Sequence, residues 1–166
     1  QGELEGVEEQ GLVHFKGIPF AQPPVGDLRW KAPLPALPWQ GVYKATEFKA
    51  KPYQRSQGRM RQGTPGMSED CLYLNVLTPA KDKEEKLPVL VWIHGGGFST
   101  GASWEQNGIN FAKNGIVYCS IAYRTNVFGF LSTPALSEES RKESGRAASG
   151  NYGLMDQLLA LRWIKD

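Results

Sequence analysis

Histidine and cysteine are scarce in this 166-residue chain, with two of each: His14, His94, Cys71 and Cys119. Two cysteines cannot build a disulfide-stapled scaffold, and no Cys/His cluster has the spacing of zinc ligands. An acid–base enzyme working through histidine has only two candidates here. A surplus of one charge is missing too. Nineteen basic against 17 acidic residues leave a formal net charge of +2, which excludes a nucleic-acid binder held by phosphate contacts. Long apolar runs are also absent: the longest, Val89–Ile93, has five residues, against roughly 20 for a membrane-spanning helix. What remains is 40% apolar and 22% charged, the composition of a soluble globular chain long enough to bury a real core.

Six of the eleven prolines (Pro19, Pro23, Pro24, Pro33, Pro35 and Pro38) precede residue 40, so that stretch reads as extended segments and turns. Leu12-Val13-His14-Phe15 predicts a short strand, and Trp30 and Trp39 read as packing anchors in the irregular backbone after it. From Lys44 to Gln62 six basic residues (Lys44, Lys49, Lys51, Arg55, Arg59 and Arg61) face one acid, Glu47. This is the pattern of a solvated loop, with a docking surface for an acidic ligand as the alternative. Lys81–Lys86 reads as an exposed turn.

The middle of the chain is more regular. Leu72, Leu74 and Val76 alternate with Tyr73, Asn75 and Leu77, the period of a strand. Val89–Ile93 and Ile116–Tyr123 are apolar on both faces, as strands covered by two layers are. A helix predicted over Glu105–Asn114, closed by Gly115, makes these two strands a crossover unit. Asn151–Asp166 predicts a last helix, capped by Asn151, whose Leu154, Leu158 and Leu161 form a broad apolar face expected to lie deep. No glycine or proline ends that helix, so the chain reads as a piece of something longer.

His94-Gly95-Gly96-Gly97-Phe98 follows the strand Val89–Ile93 directly. Three glycines leave backbone amides clear of side-chain bulk, able to converge on a small anion. A phosphate cradle would require a following Gly-Lys-Ser/Thr, and a dinucleotide fingerprint would require a third glycine after Gly95-x-Gly97; neither is present. An oxyanion loop and a purely structural turn remain.

Several segments in order resemble the type-B carboxylesterases, the α/β-hydrolase family of carboxylesterases and cholinesterases. They are residues 15–26 (FKGIPFAQPPVG), 69–76 (EDCLYLNV), 91–98 (VWIHGGGF), Tyr123-Arg124, Phe128-Gly129-Phe130 and 151–157 (NYGLMDQ). The wording around Ser149–Gly153 is most similar to bacterial, para-nitrobenzyl-esterase-like members. The resemblance implies an α/β fold in which short antiparallel N-terminal strands lead into a largely parallel central sheet. Residues 1–166 would be the N-terminal part of a single domain. Gly96 and Gly97 would supply two oxyanion-hole amides for a serine esterase acting through an acyl-enzyme. Phe98 and Trp104 would line the substrate pocket. His94 would shape the loop rather than act as the base, which in the family lies far downstream.

No Gly-x-Ser-x-Gly occurs, so the nucleophile, acid and base would come from the remainder of the protein, as a second chain or a missing segment. The resemblance implies a small-molecule ester as substrate and no metal or organic cofactor. Neuroligin-like adhesion modules share the fold and are the alternative. Two departures stand out. Many members pair the signature cysteine with one upstream, yet residues 48–54 hold none, so Cys71 is expected to be a free thiol. Arg124-Thr125-Asn126 replaces the usual Arg-Leu-Gly.

Overall fold

The computed structural model describes residues 1–55, 64–82 and 84–166. Arg59 and Arg61 of the basic stretch, and Lys83 of the charged turn, lie outside them. The described residues form seven strands: β1 (Glu3–Glu5), β2 (Val7–Glu9), β3 (Leu12–Pro19), β4 (Val42–Lys44), β5 (Tyr73–Thr78), β6 (Val89–Ile93) and β7 (Val117–Ile121). The helices are α1 (Ile109–Lys113), α2 (Asn126–Phe130), α3 (Pro134–Ser144) and α4 (Tyr152–Lys165), with one 3-10 turn at Gly26–Leu28.

The main sheet runs β2-β3-β5-β7-β6, and a separate parallel pair joins β1 to β4. The crossover unit is β6–α1–β7, with β6 and β7 parallel and in register from Val89↔Val117 to Ile93↔Ile121. The other pairings of this sheet are antiparallel. Among the described residues, the parallel pair of this sheet is β6–β7, the start of the parallel part expected from the sequence.

Period-two alternation sorts the strand residues into those layers. On one face Ile18, Phe20, Leu72, Leu74 and Ile121 pack with Ala160, Leu159 and Trp163 of α4. On the other, Leu12, Leu77 and Tyr118 pack with Ala112 and Ile109 of α1. The strand expected at Leu12–Phe15 runs on to Pro19 through a bulge between Phe15 and Ile18. Gly17 sits in that bulge at φ +72°, with Lys49 and Glu47 too close to admit a Cβ. Its N–H donates to the buried Asn75 Oδ1 (2.8 Å), and Asn75 Nδ2 donates to Ser103 and Ser120 (3.1 Å each).

Three expectations need correcting. The helix predicted over Glu105–Asn114 shrinks to Ile109–Lys113, because Asn107 Oδ1 accepts the Ile109 N–H and Gly108 packs against the Tyr118 ring. Asn151 does precede α4, but its side chain makes no capping bond. The broad face of α4 is not deep. Tyr152, Asp156 and Ala160 are its buried line, while Leu154, Leu158 (56% exposed) and Leu161 face outward. Among the described residues β6, apolar throughout, is one of the two outer strands of the sheet, with Val89 52% exposed.

α2 and α3 have no counterpart among the sequence expectations. The signals for α3 were nevertheless present. Thr133 caps it by accepting the Leu136 N–H (3.2 Å), Pro134 opens it, and Gly145 at φ +76° closes it.

Candidate active site

At Ile93 the backbone leaves β6 and enters a bend built from its own residues. The Gly96 carbonyl accepts the N–H groups of Ser99 (3.0 Å) and Thr100 (3.2 Å), which turns the chain back on itself. Gly96 stands at φ +105°, Gly97 at +58° and Phe98 at +59°. Glycine is required at Gly96, where a Cβ would run into Thr100. Phe98 holds a left-handed conformation that costs a non-glycine residue on the order of 1–3 kcal/mol, which places strain next to the glycines. Residues 95–99 are exposed. Among the described residues, no hydrogen bond uses the N–H of Gly96 or Gly97. The bend consumes a carbonyl and leaves both amides open.

His94 anchors the start of the bend and is only 2% exposed. Its ring stacks on Tyr123, with centroids 4.1 Å apart and planes 8° apart. Its Nδ1 lies 3.0 Å from the Gly95 carbonyl, and the Tyr123 hydroxyl donates to the His94 carbonyl (3.0 Å). Burial pushes its pKa below the ordinary histidine range, so the ring is neutral at pH 7. Nε2 is buried and has no partner among the described residues. These contacts fit a residue that shapes the loop.

Phe98 packs on Phe130 (4.8 Å between centroids) and edge-on to Tyr123 (6.3 Å). Trp104 is elsewhere. It lines a cavity of about 270 Å³ together with His14, Phe48, Leu77 and Tyr118, and no residue from 94 to 101 borders that cavity. The structure thus brings Gly96, Gly97 and Phe98 together and sets Trp104 apart.

β7 leads into a different arrangement. Tyr123, Arg124 and Thr125 are buried, and the Asp156 carboxylate, fully buried in α4, accepts three bonds from Arg124. The Arg124 N–H and Nε reach Oδ2 (2.9 Å each), and Nη2 reaches Oδ1 (2.7 Å). Burial raises the Asp156 pKa, and the Arg124 guanidinium opposes that rise. Cys71 and Cys119 are free and buried, as expected of Cys71, and burial raises both thiols, Cys119 to about 11.

The carboxylesterase family profile matches residues 1–166. The chain belongs to the carboxylesterase family. It is 44% identical over 169 residues to a fumonisin B1 esterase of Sphingopyxis macrogoltabida, covering 99% of this chain and 30% of that protein. It is 42% identical over 164 residues to an acetylcholinesterase of Bungarus fasciatus, covering 92% of this chain and 25% of that one. Among solved structures, a PNB esterase superposes with a TM-score of 0.85 at 38% identity, over 98% of this chain and 33% of that one. The carboxylesterase EST55 of Geobacillus stearothermophilus does so with a TM-score of 0.82 at 41% identity, over 98% and 32%. The fold is therefore that of the α/β-hydrolase esterases, and this chain spans a quarter to a third of the length of these relatives.

Proposed function

We propose that residues 1–166 are the oxyanion-hole half of a serine carboxylesterase. A serine outside these residues attacks the carbonyl carbon of a small carboxylic ester, and a histidine oriented by an acidic residue takes the serine proton. As the carbonyl oxygen gains negative charge, the Gly96 and Gly97 amides hold it, and the residue after the serine adds a third donor. The histidine returns its proton to the departing alcohol. Water then releases the acid from the acyl-enzyme, and no metal or organic cofactor takes part. His94, neutral and packed against Tyr123, sets the loop's shape.

The observation that carries this reading is the pair of exposed, unbonded amides at Gly96 and Gly97, held at the end of a strand by a bend that uses its own carbonyl. Donors already aimed where charge develops need no reorganisation during the reaction. The outward leucines of α4 and the open β6 edge are the surfaces on which we place the remainder of the protein, since apolar edges left bare promote aggregation.

The test is hydrolysis of 4-nitrophenyl acetate by the full-length polypeptide, stopped by a stoichiometric organophosphate. Residues 1–166 alone are expected to hydrolyse nothing. A full-length protein that neither turns over the ester nor takes up the organophosphate is an adhesion-type module on the same fold.

A further inference from the structure

We propose that Gln54 and Asn126 are positioning residues that hold the glycine bend in its amide-forward shape. This rests on the oxyanion reading above. The far side of the bend is tied down from two directions. The Gln54 carboxamide engages both backbone groups of Gly101: the Gly101 N–H donates to Oε1 (2.9 Å), and Nε2 donates to the Gly101 carbonyl (2.8 Å). The Asn126 N–H donates to the Phe98 carbonyl (2.8 Å), and its Nδ2 donates to the Ser99 carbonyl (2.6 Å) and to the Tyr53 carbonyl (3.0 Å). Phe98, Ser99 and Gly101 are therefore each held by a residue outside the bend, while Gly96 and Gly97 keep free amides.

The geometry at Asn126 separates this role from a backbone preference. Asn126 stands at φ +53°, a conformation glycine adopts more cheaply. What asparagine adds is a carboxamide that bridges the carbonyls of Ser99 and Tyr53. Tyr53 adjoins Gln54, so two carboxamides fasten one short segment to the bend. Cys71 is a free thiol and residues 48–54 contain no cysteine, so no disulfide ties that segment to Cys71. A bend strained at Phe98 needs such outside restraint to keep its donors within the fraction of an ångström that transition-state stabilisation demands.

The experiment compares Asn126→Gly and Gln54→Ala with wild type in the full-length polypeptide, using three readouts. These are kcat and KM on 4-nitrophenyl acetate, affinity for a trifluoromethyl ketone that forms the tetrahedral adduct, and hydrogen exchange across residues 96–101. Each variant is expected to lose about ten-fold in kcat with KM within about two-fold, to bind the ketone weaker by the same factor, and to exchange faster in the bend. Asn126→Asp should fall below Asn126→Gly, since its carboxylate would face two carbonyl oxygens. Asn126→Gly and Gln54→Ala that match wild type in all three readouts overturn the proposal. If the wild type itself neither hydrolyses the ester nor binds the ketone, the catalytic reading fails separately. Exchange then decides: faster in both variants upholds the clamp, and unchanged exchange overturns it.

Discussion

β6 and β7 lie side by side, parallel and in register, and both are apolar on their two faces, yet their carboxyl ends finish in opposite ways. β7 runs into Tyr123-Arg124-Thr125, where Asp156 accepts three bonds from Arg124 in a place closed to water. β6 runs into His94 and the three glycines, where exposed backbone keeps two amides unbonded. The closed end fixes the frame and the open end is available for chemistry. The buried Arg124 charge is matched by Asp156, although its Nη1 has no partner among the described residues. At the β6 end, by contrast, the unbonded groups are backbone amides exposed to solvent, where donors are useful.

The comparison can be broken from either side. The largest effect is expected at the closed end. Asp156→Asn leaves the Arg124 charge buried without its counter-ion and should cost about 3–5 kcal/mol of stability, read from denaturant unfolding of the full-length protein. A loss below 1 kcal/mol would mean that the pair is not the fastening described. At the open end the effect should fall on rate instead. Gly97→Val places a branched side chain at φ +58° beside the free amides, and turnover should drop about 100- to 1000-fold while the melting temperature moves by only a few degrees.

His94 sharpens the open end further. His94→Phe keeps the ring stack on Tyr123 and should hold kcat within about ten-fold, whereas loss of a general base typically costs 100- to 10,000-fold. The same variant tests the pH dependence. Burial lowers the folded pKa of His94, so the unfolded chain binds more protons below its ordinary value of about 6.5. Stability is then complete above that pH and declines as the solution is acidified past it, and His94→Phe should lessen the decline. His14, which burial pulls down to about 4, keeps its own share of the loss between about 6.5 and 4. The smallest test is at the closed end. Cys71 borders Arg124 in a cavity of about 10 Å³ and should resist a thiol reagent until the protein is denatured. Rapid native labelling would open that end.

Much of this frame was legible in the residues. The strand-then-glycines order located the open loop, and alternation at Leu72–Leu77 located β5, because both signals are local. The parallel crossover of β6 and β7 was legible, but depth was not. β6 and β7 carry equally apolar stretches, and only pairing decides that one is central and the other outermost. The leucines of α4 look like a core stripe, but the face that meets the sheet is set by Asp156, a charged residue whose burial depends on an arginine 32 positions earlier. Trp104 reads as a pocket residue beside the loop, whereas the turn ahead of α1 carries it to another cavity. Gln54 gave no signal, and Asn126 stood out only as part of the departure from Arg-Leu-Gly. Their roles come from partners 47 and 27 residues away, a contact that no window of sequence contains.

The most direct measurement is a crystal structure of the full-length protein carrying an organophosphate adduct on its nucleophile. The account predicts the phosphoryl oxygen about 2.7–3.1 Å from the amide nitrogens of both Gly96 and Gly97. An adduct whose oxygen is held elsewhere, with those two N–H groups bonded back into the bend, would contradict it.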